Sequence, residues 1–404
     1  MSLLRAAGAL ALSACAAPAV SGTGTAISGD AVRIGFITDL SGPYASVDGP
    51  AGAAAIEMAV ADRGGTVAGR RVEVLAGDHE NHPELAAAMA RRWLTEEGVD
   101  VLISGVNTDT SLAMAEVARE TRKPFLVVSA GGAEHTNEKC SPYTVQWAYD
   151  TTALSKVAGA AVTAAGGRSW YILTGDYPFG HELENETAAA VEAAGGTVLG
   201  TERHAHGATD FSAAIGRAQR SGAQVLGLAS GHSTLVAAVR DANRLDPAKS
   251  MRIAGLLAFI DEVHELGLEQ AQGMYHPDSW YWDCDEATRA WSQRFFARFD
   301  RMASLLHAGD YSAAFQYLAA VEAAGTDDGD GVMARLRGTT FNDVSLQNGR
   351  IRGYGLMEHD MYLLQVKSPA QSRGPWDYDT IVGTFRGDAA WRPKSRSKCA
   401  SWTG

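Results

Sequence analysis

The residues that could bind a small molecule gather in loops that follow short apolar runs. In RIGFITDLSGPYASVDGPAG, residues 33–52, Tyr44 and Asp48 follow such a run. A strand, a glycine-containing loop and a helix also hold phosphate in nucleotide-binding folds, but this stretch lacks their glycine spacing and lysine. The carboxylate of Asp48 is a group that can receive an ammonium or hydroxyl group, and the alternative is that Asp48 is only a turn residue before Gly49.

A second loop, GVNTDTSLAMA, places Thr108, Asp109 and Ser111 at the start of a predicted helix. Hydroxyl groups and free backbone N–H groups at a helix start can hold a carboxylate. The alternative is that Asp109 or Thr108 only caps the helix. We predict that some residue of this loop contacts the ligand, although the acidic side chain of Asp109 would repel a carboxylate unless it turns away or meets an ammonium group.

Aromatic side chains and an imidazole occupy other strand-end loops. GDYPFGHE contains Tyr177 and Phe179, ASGHST contains His232, LLAFID contains Phe259, and SWYWDC contains Trp280. A large aromatic residue in a loop forms a wall for an apolar ligand group, or it packs on its neighbours. These residues are predicted to line a ligand-binding cleft.

The sequence contains few features that would indicate an enzyme. It contains no G-x-S-x-G turn, no Walker loop and no G-x-G-x-x-G after a predicted strand. His79 and His82 lack the helical i, i+4 spacing of a metal site, and the HAH segment at 204–206 is a similarly weak candidate. The net charge of −12 argues against a nucleic-acid binder. We predict a non-enzymatic protein with no cofactor and no metal.

Strand-like and helix-like patterns alternate from Val32 onward, which predicts an α/β fold. The alternation occurs as two successive series of similar length, so we expect two lobes, each a parallel sheet covered by helices. Two long helices are predicted after Trp280, and the aromatic, Gly- and Pro-rich C-terminal segment is predicted to be an ordered surface extension.

The N-terminus MSLLRAAGALALSAC is predicted to be an export signal, because its apolar run is too short to span a membrane. LSAC resembles a bacterial lipobox, which would lipidate Cys15; the alternative is ordinary cleavage in the small-residue stretch that follows. Of the remaining cysteines, Cys140 and Cys399 lie in polar, loop-like surroundings, whereas Cys284 follows an aromatic run. A Cys140–Cys399 disulfide is therefore expected in an oxidising compartment.

Several segments together resemble the periplasmic solute-binding proteins of branched-chain amino-acid ABC transporters, the leucine/isoleucine/valine-binding type. They include RIGFITDLSGPYASVDGPAGAAAIEMAV, GDHENHPELAAAMARRWL, VDVLISGVNTDTSLAMAEVARE, WYILTGDYPFGHELE and YSAAFQYLAAVEAAG. The resemblance covers about residues 32–366. It implies two Rossmann-like lobes with an interlobe cleft, which is the type I periplasmic binding protein fold.

The resemblance also implies a division of the chain and the place of some ligand contacts. The expected division is a leader at 1–30, lobe 1 at 31–148 and 281–349, lobe 2 at 149–280 and 350–368, and a C-terminal extension at 369–404. Ala130 and Gly132 match family positions that offer backbone groups to the ligand, with a plain turn as the alternative. Tyr44 and Asp48 would face the cleft, and Phe179 would cover the ligand.

The function that the resemblance implies is capture of a small amino acid or organic acid and its delivery to an inner-membrane ABC permease. The protein would act as a monomer in the periplasm, either free or anchored through lipidated Cys15. Two alternatives remain open. One is a periplasmic sensor that passes its closed form to a receptor, and the other is a binder of aromatic or aliphatic carboxylates rather than amino acids.

Overall fold

A computed structural model describes residues 27–246, 249–353 and 355–400. The predicted export signal and Cys15 lie outside these described residues. The predicted α/β alternation is confirmed, because two parallel-dominated sheets are formed one after the other along the chain. None of the helices in the described part of the chain has the length and hydropathy of a membrane-spanning segment.

The first sheet forms the core of lobe 1 and has the strand order β2-β3-β1-β4-β5-β6. Its strands are β1 (Ala31–Thr38), β2 (Thr66–Val67), β3 (Arg70–Asp78), β4 (Val101–Ser104), β5 (Phe125–Val127) and β6 (Thr144–Gln146). All neighbours run parallel except β2. The helices that connect them are α1 (Gly49–Asp62), α2 (Pro83–Thr95) and α3 (Thr108–Thr121). Because helices cover both faces, β4 and β5 are buried along their whole length.

The second sheet forms the core of lobe 2, in the order β16-β15-β11-β10-β9-β7-β8. Its strands are β7 (Ser169–Gly175), β8 (Thr197–His204), β9 (Val225–Ala229), β10 (Arg252–Gly255), β11 (Tyr275–Asp278), β15 (Met361–Val366) and β16 (Asp379–Phe385). The strands β7 to β11 are parallel, and β15 and β16 extend one edge of the sheet as antiparallel strands. The helices of this lobe are α4 (Thr151–Ser155), α5 (Ala161–Ala164), α6 (Pro178–Ala193), α7 (Ser212–Ser221), α8 (His232–Leu245), α9 (Ile260–Leu266) and α10 (Leu268–Ala271). A turn of π-helix at 156–160 joins α4 to α5.

The chain returns to lobe 1 after β11 and forms three more helices there. They are α11 (Glu286–Phe299), α12 (Leu305–Ala324) and α13 (Gly329–Arg337). The two long helices predicted after Trp280 are thus confirmed. Helix α12 is buried on almost every side because it packs against α1 and lies among the other elements of the lobe. A small antiparallel sheet follows, made of β12 (Thr340–Phe341), β13 (Gly349–Ile351) and β14 (Met357–Glu358).

Over residues 369–400 the C-terminal segment is ordered, and its strand β16 pairs with β15 at the edge of the second sheet. Beyond β16 the chain runs back to lobe 1, where Cys399 forms a disulfide with Cys140 in the segment before β6. The expected disulfide is confirmed, and Cys284 is a free thiol. The sequence patterns did not indicate the pairing of β16, nor the helices α4, α5 and α13.

Candidate functional site

A cavity of about 320 Å³ lies where the carboxyl ends of the parallel strands of both sheets face each other. This is the place where ligands bind in open α/β sheets. Loops of lobe 1 contribute Pro43, Tyr44, Asn81, Val106, Asn107, Thr108, Asp109, Ser129, Ala130 and Gly131, and Tyr149 lines the cavity where the chain crosses to lobe 2. Loops of lobe 2 contribute Tyr177, Pro178, Phe179, His206, Gly231, His232, Ser233, Thr234 and Leu257.

Seven of the predicted site residues line this cavity. They are Tyr44, Thr108, Asp109, Ala130, Tyr177, Phe179 and His232. The other five do not reach its wall: Asp48, Ser111, Gly132, Phe259 and Trp280. The strand-end loops that the sequence pointed to are therefore brought together, but some of their side chains turn away from the space between the lobes.

The start of α3 is capped by Asn107, and not by Thr108 or Asp109 as the capping alternative supposed. The Oδ1 atom of Asn107 accepts a hydrogen bond from the Asp109 backbone N–H at 2.8 Å. Its amide nitrogen donates to Asn81 Oδ1 at 2.8 Å, which fixes both amides at the cavity wall. Thr108 and Asp109 are thus free of the capping role, and the exposed Asp109 side chain lies at the rim.

Ser111 and Gly132 support this loop from behind. The hydroxyl group of Ser111 contacts the Thr108 carbonyl oxygen at 2.9 Å and His135 Nε2 at 2.7 Å, so it points into the protein. Burial lowers the pKa of His135 to about 4, so its imidazole is neutral at pH 7. A Cβ atom on Gly132 would lie 2.3 Å from Thr108 Cγ2, which shows that Thr108 packs directly over this glycine.

Asp48 lies beneath the cavity floor with an exposed fraction of 1%. It occupies the N-cap position of α1, yet its side chain caps no backbone N–H group. Its Oδ2 atom instead accepts hydrogen bonds from the hydroxyl groups of Thr38, Ser104 and Ser129. The expectation that Asp48 faces the cleft is corrected here, because only Ser129 of this group reaches the cavity wall.

Aromatic rings form the wall that lobe 2 contributes. Tyr177 and Phe179 stack with ring centroids 6.5 Å apart, and a Cβ atom on Gly131 would lie 2.9 Å from the Phe179 ring. Phe179 therefore reaches across the cleft to the backbone of lobe 1. Burial raises the pKa of the Tyr177 phenol, and the nearby Tyr44 adds to the shift, so the phenol stays protonated and can donate a hydrogen bond.

Tyr44 of lobe 1 contacts two histidines of lobe 2 at the cavity wall. Its hydroxyl group lies 3.1 Å from His206 Nε2, and its ring packs edge-on against His232 at 5.1 Å. His232 is oriented by Glu262, whose Oε1 atom lies 3.2 Å from His232 Nδ1. Glu262 in turn accepts the Phe259 backbone N–H at 2.7 Å. The contacts that Tyr44 and Glu262 make with the His232 ring therefore fix the position of its Nε2 atom.

Phe259 and Trp280 are structural supports rather than cavity walls. Phe259 is 2% exposed and packs between His232 and Tyr149, at centroid distances of 6.0 and 6.4 Å. Trp280 lies where the chain crosses between the lobes; it donates to the Val344 carbonyl oxygen at 2.8 Å and packs edge-on against Trp291.

The sequence reasoning missed several cavity residues, among them Asn81, Asn107, Ser129, Tyr149 and His206. Asn81 and Asn107 have positive φ angles of 60° and 76°, a conformation that asparagine tolerates well. An asparagine just after a predicted strand was therefore an available signal. His206 belongs to the HAH segment, whose pattern indicates only a weak candidate metal site. Across the described residues, no group of three or more His, Cys, Asp or Glu side chains could hold a metal ion.

The chain is 29% identical over 196 residues to the Leu/Ile/Val-binding protein homolog 6 of Brucella abortus, which covers 48% of this chain. It spans only about half the length of the curated relatives that it matches.

Solved structures resemble the chain over nearly its whole length. A periplasmic binding protein of Burkholderia mallei is 48% identical with a TM-score of 0.88, covering 93% of this chain and 100% of its own. A branched-chain amino-acid ABC transporter periplasmic ligand-binding protein of Burkholderia xenovorans LB400 is 32% identical with a TM-score of 0.86, covering 92% of this chain and 99% of its own. A family profile described as "Periplasmic binding protein" matches residues 31–374. The chain therefore belongs to the periplasmic binding protein family, with the predicted type I fold.

Proposed function

We propose that this protein is the exported solute-binding component of an ABC importer, which captures a small amino acid or organic acid between its lobes and delivers it to a membrane permease. The observation that carries the proposal is the cavity itself, which both lobes line with a few polar groups and a wall of aromatic rings. The name of the Burkholderia xenovorans relative, an ABC transporter ligand-binding protein, supports the same role.

The proposed mechanism is closure of the lobes on the ligand. Tyr44 of lobe 1 contacts His206 and His232 of lobe 2, and the Ala133 backbone N–H of lobe 1 donates to Glu182 of lobe 2 at 3.1 Å. A ligand that bridges the lobes shifts the open–closed equilibrium only by the extra contacts that it makes in the closed state.

Two classes of ligand fit the cavity. A neutral amino acid is supported by the names of the relatives and by the hydroxyl and amide groups of lobe 1. A carboxylate with an aromatic or aliphatic body is supported by the rings of Tyr44, Tyr149, Tyr177 and Phe179. On the lobe 2 side, Glu262 lies behind His232 and is already engaged by His232 and by a backbone N–H group.

The remaining parts of the proposal concern place and partners. We propose a periplasmic location, free or anchored through Cys15, a monomeric state and the lobe boundaries given above. A role without enzymatic activity agrees with the family. The alternative role as a periplasmic sensor would use the same cavity and closure but a receptor instead of a permease.

A thermal-shift screen of amino acids, aromatic acids, aliphatic acids and amides tests the proposal. A true ligand at 100 times its dissociation constant should stabilise the fold by about 2.7 kcal/mol. Binding to membranes that contain the candidate permease, with and without ligand, separates the transport role from the sensor role. The absence of any shift across the whole screen would count against a solute-binding function.

A further inference from the structure

One buried carboxyl group, that of Asp48, accepts hydrogen bonds from three hydroxyl groups beneath the cavity floor. Asp48 Oδ2 accepts from Thr38 Oγ1 at 3.0 Å, from Ser129 Oγ at 2.7 Å and from Ser104 Oγ. The Oγ atoms of Ser104 and Ser129 are also 2.8 Å apart. All four residues are at most 4% exposed, and Ser129 is the one that lines the cavity.

The single hydrogen of the Ser129 hydroxyl is used inside this network. A hydroxyl group has one hydrogen to donate and two lone pairs to accept with. Ser129 donates either to Asp48 Oδ2 or to Ser104, which then donates to the same carboxylate oxygen. In both arrangements the lone pairs are all that Ser129 offers to the cavity. Its position is fixed further by its carbonyl oxygen, which accepts the Tyr149 hydroxyl at 2.9 Å.

A second carboxyl group keeps Asp48 Oδ2 an acceptor. Asp310 of α12 is fully buried, and a Cβ atom placed on Gly52 would lie 2.7 Å from Asp310 Oδ2 and 2.3 Å from Asp48 Oδ1. Among the described residues, no donor reaches Asp48 Oδ1 or either oxygen of Asp310. Two adjacent buried carboxylates cannot both be charged at tolerable cost.

The proton of this pair therefore belongs on Asp310. Burial raises the pKa of Asp310 well above its usual value, and the neighbouring Asp48 raises it further. Asp310 lies within hydrogen-bonding reach of Asp48, so its carboxyl proton can be donated to Asp48. The oxygen of Asp48 that the three hydroxyl groups leave free to accept it is Oδ1. The Oδ2 atom of Asp48 thus stays the acceptor of the three hydroxyl groups.

We propose that Asp48 and Asp310 position Ser129 as an obligate hydrogen-bond acceptor, so that the cavity selects ligands with a donor group, such as ammonium, hydroxyl or amide N–H, at this wall. This inference rests on the proposed solute-binding function. Asp48 and Asp310 act through Ser129 and do not touch the ligand themselves.

The D48N variant tests this selection directly. The Asp310 hydroxyl would hold the amide oxygen of the new side chain, so its NH2 group would replace Oδ2 and donate to the hydroxyl groups. The hydrogen of Ser129 would then be free to point into the cavity. The probes are L-leucine against 4-methyl-2-oxopentanoate, and 4-hydroxybenzoate against 4-fluorobenzoate, with dissociation constants measured by calorimetry.

The wild-type protein is expected to prefer the donor-bearing member of a bound pair by tenfold or more. D48N should lose or reverse this preference, S129A should lose it, and D310N, whose amide still donates to Asp48 Oδ1, should keep it. A folded D48N protein with the wild-type preference would overturn the inference. If wild type binds none of the four probes, the proposed function is weakened, and the spectroscopic test below decides the inference alone.

A ligand-free measurement checks the proton on Asp310. The carbon-13 NMR spectrum of protein labelled at the aspartate carboxyl carbon should show, at pH 7.5, a protonated carboxyl resonance that is absent from D310N. Circular dichroism verifies that the variant is folded. A spectrum in which D310N removes only an ionised carboxylate signal would refute the proton assignment and with it the role of the pair.

Discussion

Phe179 is the side chain that brings the aromatic wall of lobe 2 into contact with lobe 1. It stacks on Tyr177 and lies against the backbone at Gly131. Burying a phenylalanine side chain contributes about 1.5–3 kcal/mol. F179A should therefore weaken ligand binding by roughly tenfold to a hundredfold, because 1.4 kcal/mol corresponds to a factor of about ten.

Calorimetry with a ligand identified by the screen measures this effect. L199A is a suitable control, since Leu199 is an exposed apolar residue on β8 that does not line the cavity. An F179A protein with unchanged thermal stability and unchanged affinity would show that Phe179 does not cover the ligand.

Glu182 makes the contact between the lobes sensitive to pH. Burial raises its pKa to about 7, and Glu134 on the facing lobe adds to the shift, as does Asp150. A carboxyl group whose pKa is raised in the folded state binds its proton more tightly there, so it stabilises the fold at low pH and loses this contribution as the pH rises through about 7. E182Q keeps an acceptor for the Ala133 N–H group but does not titrate.

The expected result is a melting temperature that falls between pH 6 and pH 8 in wild type and falls less steeply in E182Q. Some slope should remain, because burial also raises the pKa values of Asp261 and Asp278 to about 7. E192Q, an exposed position on the same helix, should reproduce the wild-type profile. Identical profiles for wild type and E182Q would rule out this role.

At the scale of the helix, alanine substitutions at Gly52 and Gly216 should change the free energy of unfolding in opposite directions. A Cβ atom on Gly52 in α1 would lie 2.3–2.7 Å from Asp48, Asp310 and Phe36, all of them buried. On Gly216 in α7 it would meet only the mobile end of the Arg220 side chain at 3.3 Å. G52A should therefore destabilise the protein by about 1–3 kcal/mol through overpacking, whereas G216A should stabilise it by up to about 1 kcal/mol.

Urea denaturation of both variants measures the two free energies of unfolding. A stabilised G52A protein would mean that the buried carboxyl pair has room to move apart, which would also weaken the arrangement proposed for Ser129. A strongly destabilised G216A protein would instead show that helix propensity does not decide the outcome in α7.

The sequence predicted long elements well and short or edge elements poorly. Helix α2 buries Ala86, Ala90, Trp93 and Leu94 as an apolar stripe along one face, so its periodicity identifies it without tertiary information. The strand β16 is mostly exposed and therefore lacks a strong apolar alternation. Its place in the sheet follows from its pairing with β15, which is a long-range contact.

The candidate site was predictable to the level of the loop but not of the side chain. The rule that ligands lie beyond strand ends pointed to the loops of Thr108 and Phe179, and both residues line the cavity. It could not show that Asp48 turns inward, because the partners that draw its side chain inward, Ser104 and Asp310, are distant in the sequence. Only tertiary contacts decide which side chains of a loop face the cavity and which face the protein interior.

At the scale of the whole molecule, the C-terminal segment connects the two lobes a further time. After β16, the backbone oxygen of Trp391 accepts from Lys156 Nζ at 2.9 Å in lobe 2. The Lys398 backbone N–H then donates to Asn137 at 2.6 Å in lobe 1, and the adjacent Cys399 is bonded to Cys140. The edge of the second sheet is thus covalently tied to lobe 1, which restricts how far the lobes can separate.

Removal of the Cys140–Cys399 disulfide should lower the stability of the protein and let the lobes separate further in the ligand-free form. The Cys140–Cys399 bond joins residues 259 positions apart, so it closes a long loop, and such a disulfide contributes about 2–4 kcal/mol by restricting the unfolded chain. C399S should unfold at lower denaturant concentration than wild type, and its ligand-free form should show a larger radius of gyration in X-ray scattering.

The free thiol supplies the control for this experiment. C284S changes a half-buried cysteine that forms no disulfide, so its resistance to denaturant should still fall when reductant is added, as in wild type. C399S should not respond to reductant, because its disulfide is already absent. If C399S matches oxidised wild type in both stability and ligand-free dimensions, the covalent tie restrains neither unfolding nor lobe opening, and the non-covalent contacts of Lys156 and Lys398 hold the segment by themselves.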